Sequence, residues 1–264
     1  MADRPIASFC ISFTDRPAVA WELERLISAR GAGMLLYATN EDPDTQDMCI
    51  EDASSRQVAG IFFLCAIDSP KLRSVVGRKS CLFINRRIAG VQGVPFVGID
   101  DYAAARDLMS TGLRRTTGDV AVFHGPLWSD TSSRRLRGFC DAAAEADRPL
   151  PPEHLLQSEL SMESGYHLAS QVLSEGRFSA VFCGNDQIAY GVWRRCREIG
   201  IGVPADLHLY GFDDNPLNEW LAPWLSTIRV PFKAFASSAA SLMESEDAGR
   251  PMELLLPYEL VVRA

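Results

Sequence analysis

The sequence has 264 residues, of which 47% are hydrophobic and 23% charged, a balance that suits one large or two medium folded domains and excludes a disordered chain. Its formal net charge is −8, which argues against a surface that binds nucleic acid through its own charge. No apolar run reaches the length of a membrane span, and the seven cysteines, odd in number and without a CxxC, fit buried thiols in a reducing cytosol.

In chain order, IASFCISF (6–13) reads as a strand. Pro17 to Arg30 reads as a helix with Trp21, Leu23, Leu26 and Ile27 apolar and Gly31 at its stop. GMLLYAT (33–39) is a second strand. Asp42-Pro43 is an N-cap followed by proline at the first helical position, and the helix runs to about Arg56. VAGIFFLCA (58–66), SCLFIN (80–85) and VPFVGID (94–100) are three further strands, and Asp101 to Leu113 is helical. The alternation then restarts with the strand GDVAVFHG (118–125), a helix from Ser132 to Ala146 and the proline-rich turn DRPLPPE (147–153). Leu155 to Leu160 is a short strand, Ser164 to Glu175 a helix stopped at Gly176, and FSAVFCG (178–184) a buried strand. Asp186 to Ile199 is a helix ended by Gly200, with Pro204 beyond it. LHLYGF (207–212) is a strand, Ser226 to Pro231 a short extended piece, Phe232 to Glu246 a helix and PYELVVR (257–263) a final strand. Strand and helix taking turns in two successive sets predicts α/β architecture, with mostly parallel sheets covered by helices on both faces.

Ligands of such sheets bind beyond the carboxyl ends of the strands. The residues there are Phe13-Thr14-Asp15, Asn40, Asn85-Arg86, Asp100-Asp101, the loop from Gly125 to Arg135, Asn185-Asp186 and Asp213-Asp214. This set is rich in acids and amides and poor in histidine. Asp213 and Asp214 are adjacent, so their side chains point to opposite faces of an extended backbone, whereas the two acids of a glycosidase face each other from different elements. His124, His154, His167 and His208 are scattered without metal-ligand spacing, and neither GxSxG nor a Walker A loop occurs. The GxG in Arg30-Gly31-Ala32-Gly33 follows a helix and precedes a strand, the reverse of a dinucleotide fingerprint. These absences argue against catalytic residues, a metal site or a cofactor.

Binding fits the set better. Asn185 caps the helix that follows its strand, and an amide there, able to donate and accept, also suits ligand hydroxyls. Asp213, at the strand end, is the better ligand carboxylate, while Asp214-Asn215-Pro216 is a turn or helix start. In SSRRLRGF (132–139), Arg135 is placed to reach the site while Arg134 and Arg137 face elsewhere. Trp128 stands in a strand-end loop, where packing and stacking on a ligand ring are both open.

The run AVFCGNDQIAYGVWRRCREIGIGVPADLHLYGFDDNPLNEWLAPWLSTIRVP (180–231) resembles the LacI/GalR family of bacterial transcriptional repressors. It has the strand leading into Asn-Asp, the helix closing on Gly and Val-Pro, the strand ending Gly-Phe-Asp-Asp, and the later Leu-Ser-Thr-Ile. VFHGP with SSRRLRGF, MESGYHLA (162–169) and ELVVR (259–263) extend the resemblance over nearly the whole chain. It implies a periplasmic-binding-protein-like type I core of two Rossmann-like subdomains with parallel sheets, three crossovers and a ligand cleft between them. The expected subdomains are residues 1–115 with 230–249, and 116–229 with 250–264.

Carried over by position, Asn185 and Asp213 hold ligand hydroxyls and Arg135 is the cleft arginine, with Asp130 and Thr131 in the loop before it. Leu160 falls where many members place an aromatic against the ligand. Phe13 and Asp15 fall in the first-strand loop, and Asp100 and Asp101 after the fifth strand. The family's DNA-reading helix-turn-helix and hinge helix precede its first strand and are not in this sequence, and Thr116-Thr117 replace the usual Gly-His before the sixth strand. The expectation is a cytoplasmic, homodimeric repressor core that closes about a hinge on a sugar-like effector. It meets operator DNA only through a segment outside this sequence and has no contact with membrane. A stand-alone sugar-binding protein for transport is the alternative, against which the cysteines and the start MADRPIASFCISF, without a signal-peptide pattern, both count.

Overall fold

Apolar residues recurring in short β-branched and aromatic runs, separated by amphipathic stretches, fold as alternating strand and helix along the whole chain. The computed structural model describes residues 6–11, 17–173, 178–244 and 252–263, so Phe13 and Asp15 lie outside the described residues. In chain order the elements begin β1 (Ile6–Ile11), α1 (Pro17–Ala29), β2 (Gly33–Ala38), α2 (Pro43–Ser55), β3 (Gly60–Leu64), α3 (Pro70–Val75), β4 (Ser80–Ile84), β5 (Phe96–Gly98) and α4 (Asp101–Leu113). They continue with β6 (Asp119–His124), α5 (Asp130–Glu145), β7 (Leu155–Gln157), α6 (Met162–Val172), β8 (Phe178–Cys183) and α7 (Asp186–Ile199). The last are β9 (His208–Tyr210), α8 (Asn218–Leu221), β10 (Thr227–Arg229), α9 (Phe232–Glu244), β11 (Glu253–Leu255) and β12 (Glu259–Val261).

The caps follow the local chemistry. The Asp42 side chain accepts from the Thr45 N–H at the head of α2, and Gly200 closes α7 in the left-handed conformation at φ 78°. Three short elements escaped the sequence reading: α3, α8 and β11. Each is six residues or fewer, too short to show a period.

The chain divides into two units, residues 1–99 with 231–257 and residues 100–230 with 258–264. The first holds a parallel six-stranded sheet in the order β11-β5-β4-β3-β1-β2. All of β3 is buried, as a strand covered on both faces must be. Ile61, Phe63 and Phe83 pack with Ile50 of α2 and Leu72 of α3, while α1 and α9 pack together as a second pair. The second unit holds a parallel sheet in the order β7-β6-β8-β9. β10 runs beside the end of β9 through parallel bridges Tyr210–Ser226 and Asp213–Arg229, and β12 pairs antiparallel with β10. Here α4 packs on α5 and α6 on α7.

The unit boundaries differ from those expected by one residue at Val230 and by longer stretches in two places. Residues 100–115 belong to the second unit because α4 packs closely on α5: a Cβ at Gly138 would stand 2.4 Å from the Tyr102 carbonyl oxygen. Residues 250–257 belong to the first because β11 pairs with β5. In both cases the deciding contact is long-range and leaves no local mark.

Candidate functional site

In the second sheet, β6 passes to β7 on one side and β8 to β9 on the other, so the crossovers part between β6 and β8. Such a switch point leaves a crevice beyond the carboxyl ends of the two strands. Gly125 follows β6 there and Gly184 follows β8. Both are closely packed: a Cβ at Gly125 would meet the side-chain ends Ser132 Oγ at 2.5 Å and Leu160 Cδ2 at 2.7 Å, and one at Gly184 would meet the Gly125 nitrogen at 3.0 Å.

Arg135 occupies the centre. It sits on the first turns of α5 and is only 5% exposed. Its Nε donates to Asp101 Oδ1 at 2.7 Å and its Nη1 to the Gly184 carbonyl at 2.8 Å. The guanidinium carbon lies 3.6 Å from the centroid of the Phe212 ring. Nη2 is buried with no hydrogen-bond partner among the described residues and stands 3.7 Å from Asp213 Oδ1. Arg134 turns instead to Asp100, and Arg137 lies over the Tyr102 ring.

The other predicted residues divide into those that join this cluster and those that flank it. Asn185 Oδ1 accepts from the Ile188 N–H, capping α7, and its Nδ2 donates to the Leu160 carbonyl, so the amide ties two strand ends together. The Leu160 side chain packs on the core of this unit. Asp101 is buried against Arg135, whereas Asp100 caps α4 by accepting from the N–H groups of Tyr102 and Ala103. Asp130 is in the first turn of α5. Thr131 is buried with its hydroxyl 2.9 Å from that of Ser129, and Trp128 is 56% exposed in the preceding loop.

The two adjacent acids after β9 have separate fates. Asp213 and Asp214 both have positive φ, 106° and 51°, a conformation that costs non-glycine residues energy and that the surroundings must hold. Asp214 accepts from Arg263 and Arg229 at 2.7 Å each and from Asn218 at 3.2 Å, fastening the turn to β10 and to the tail after β12. Burial pushes its carboxyl up, but those donors outweigh burial and hold it below its ordinary range. Asp213 faces Arg135.

The sequence places Asp186 at a strand end and a helix start but marks no role for it in the site. It is 2% exposed, and its carboxylate accepts from the Asn215 N–H, the Asn218 amide and the Thr227 hydroxyl. Burial, with the neighbouring Asp213 charge, pushes its carboxyl up to about 7 against the pull of those donors. The clue was its place in Asn-Asp at a buried strand's end; its partners lie 29–41 residues away.

In the first unit, Asn85 follows β4 at φ 67° and is buried, with Oδ1 lacking a hydrogen-bond partner among the described residues. Beside it in sequence, Arg86 is buried and donates to Glu41 at 2.9 Å. A pocket of about 470 Å³ lies elsewhere, at the amino end of β6, lined by residues including Asp119, Arg148, Glu153 and His154. The groups that converge on Arg135 lie at the other, carboxyl end of these strands. Among the described residues no cluster of three or more metal-binding side chains occurs, and no helix is long and apolar enough to cross a membrane.

Residues 105–264 match the family described as a periplasmic binding protein-like domain. An HTH-type transcriptional regulator from the aml 5′ region of Streptomyces limosus is 32% identical over 267 residues, which cover 94% of this chain and 74% of the relative. The crystal structure of a LacI-family regulatory protein from Chloroflexus aggregans superposes with a TM-score of 0.83 at 23% identity, covering 98% of this chain and 97% of that one. This chain belongs to the LacI/GalR family of transcriptional regulators. A second structure with the fold of this LacI/GalR core is the transcriptional regulator CelR in complex with cellobiose, at a TM-score of 0.88 and 20% identity, covering 100% of this chain and 85% of that one.

Proposed function

We propose that this chain is the effector-sensing core of a LacI-type repressor and takes a neutral, hydroxyl-rich molecule of the sugar class at the carboxyl ends of β6, β8 and β9. The observation that carries the reading is the buried Arg135 Nη2, without a hydrogen-bond partner among the described residues and 3.7 Å from Asp213 Oδ1. A guanidinium N–H beside a carboxylate puts a donor next to an acceptor, the complement of neighbouring hydroxyls. Asn185 and Leu160 border this group, Phe212 lies beneath it, and Trp128, Asp130 and Thr131 belong to its rim. Asp101 and Asp213 lie at these strand ends with one guanidinium, Arg135, and this excess of acid disfavours a sugar phosphate.

The effector acts by binding one state of the regulator better than another. The chain passes between its units three times, after Ile99, Val230 and Pro257, and these passages serve as the hinge. The working form is a cytoplasmic homodimer that meets operator DNA through a helix-turn-helix outside this sequence. In a dimer, hinge closure alters the spacing of the DNA-reading segments.

A thermal-shift screen of neutral sugars and nucleosides, with sugar phosphates alongside, tests the reading, because a ligand of the folded state alone raises its stability. Neutral sugars are expected to stabilise and sugar phosphates to leave the transition unmoved. Asp213→Ala then removes charged hydrogen bonds worth about 1.5–3 kcal/mol each, so binding weakens by roughly 10- to 100-fold. A folded Asp213→Ala protein that binds its sugar as tightly as the parent would sink the assignment.

A further inference from the structure

Asp186 holds the turn that carries Asp213 from both sides. Its own N–H donates to the Phe212 carbonyl at 2.8 Å, and its Oδ2 accepts from the Asn215 N–H at 2.8 Å. Residues 213 and 214, the two with positive φ, lie between those anchor points. Asn218 Nδ2 donates to the same Oδ2 and also to Asp214, while its Oδ1 accepts from the Tyr190 hydroxyl of α7. Gly211 seals the site, since a Cβ there would stand 2.2 Å from Asp186 Oδ1.

Among the described residues the carboxyl has no cation for a partner. Its three side-chain bonds come from neutral donors: a backbone N–H, an amide and a hydroxyl. The nearby guanidiniums turn to other groups. Arg135 of α5 donates to Asp101 and Gly184 and leaves Nη2 3.7 Å from Asp213, and Arg229 and Arg263 are held by Asp214. Asp213 adds a like charge from the turn, and the Cys183 thiol at the end of β8 is kept protonated by burial and by the Asp186 charge itself. Of the three side-chain bonds only one can reverse. Two are N–H groups that must donate to Oδ2, whereas the Thr227 hydroxyl at 2.7 Å from Oδ1 can donate to a carboxylate or accept from a carboxylic acid. A proton therefore has a place on Oδ1 that leaves both N–H bonds to the turn intact.

We infer that Asp186 is the positioning residue for Asp213, a clamp whose carboxyl gains or loses one proton on Oδ1 in response to the charge of Asp213. The raised Asp186 titration, driven first by burial and then by Asp213, agrees with that geometry. The clamp gives Asp213 its importance only if the effector reading above is right, so the test uses no effector.

In the full chain, the side-chain carboxyl carbons of ¹³C-labelled aspartate are followed by NMR against pH, in the parent, Asp186→Asn and Asp213→Asn. The expected result is one aspartate titrating near 7, absent from Asp186→Asn and moved to lower pH by roughly half a unit or more in Asp213→Asn. The amide signals of Asp213 and Asn215 are expected to move with the same midpoint in the parent and not in Asp186→Asn. Should Asp186→Asn fail to fold, Thr227→Val replaces it: removing the hydroxyl that favours the carboxylate moves the midpoint up. An Asp186 carboxyl that titrates in the ordinary carboxylate range, or a midpoint indifferent to Asp213→Asn, overturns the inference. So does a turn whose amides ignore the titration. A protein that shows the coupled titration yet binds no sugar keeps the clamp and loses the effector reading.

Discussion

Arg135 and Arg148 stand toward opposite ends of the second unit's sheet and use their donors differently. Arg148 follows α5 and gives Nη1 to the carbonyls of Leu113 and Thr116 and Nη2 to that of Gly118, fastening the loop between α4 and β6. It lines the pocket of about 470 Å³, yet its guanidinium is engaged by backbone. Arg135 gives two nitrogens to Asp101 and Gly184 and keeps Nη2 without a hydrogen-bond partner among the described residues, beside Asp213. The contrast favours the Arg135 cluster as the proposed site: its groups converge with capacity left over, and volume alone is no mark of a site.

The sharpest way to break this contrast is Arg135→Ala. It leaves Asp101 buried without its cation, and breaking a buried pair costs about 3–5 kcal/mol, read by urea unfolding. A loss near zero would mean that the pairing is not what holds these strand ends. The next effect is pH-dependent and belongs to Asp186. Its folded carboxyl is raised to about 7 from an ordinary 3.8, so the folded state binds the extra proton between those values. Stability from this group is thus complete below about pH 4 and is lost as pH rises through 7, by about 1.4 kcal/mol for each pH unit of the window. In Asp186→Asn that loss should vanish, and parallel unfolding curves for parent and variant across pH 4–8 would refute it.

At the other end of the sheet, Arg148→Ala is expected to cost about 1–2 kcal/mol, because the half-exposed carbonyls it leaves can take water. It should leave affinity for any sugar found by the thermal-shift screen unchanged; a matching fall in affinity would place the ligand at the amino end. The smallest effect tests the frame that both ends share. Gly200→Ala forces an alanine into the left-handed cap of α7 at φ 78° and is expected to lower stability by about 1 kcal/mol without touching binding, as thermal unfolding and titration would show.

Much of this fold was legible from local chemistry. The helix from Asp101 to Leu113 and the helix from Asp186 to Ile199 begin and end where the acids, the asparagine cap and Gly200 indicate. The short α3, α8 and β11 were not legible, and neither was the transfer of α4 to the second unit, because each depends on what the segment packs against. The strand-end residues were also readable as a set, since parallel sheets place ligands beyond their carboxyl ends. Their division of labour was not. Asp100 and Asp101 are neighbours, but one caps a helix and the other meets Arg135, as backbone direction alone decides.

The stretch YGFDDNP shows where the two sources of information part. The sequence by itself determined that a buried strand ends on two acids, that they leave its end in different directions, and that the chain resembles LacI/GalR regulators. Only the tertiary structure decided that Asp214 is held by Arg229 and Arg263, that Asp213 faces Arg135, and that a third acid, Asp186, anchors the turn beneath them. The physical reason is separation along the chain: Arg263 lies 49 residues from Asp214, and Thr227 lies 41 from Asp186. Such partners leave no local pattern, and burial raises the energy of every charge they fail to meet.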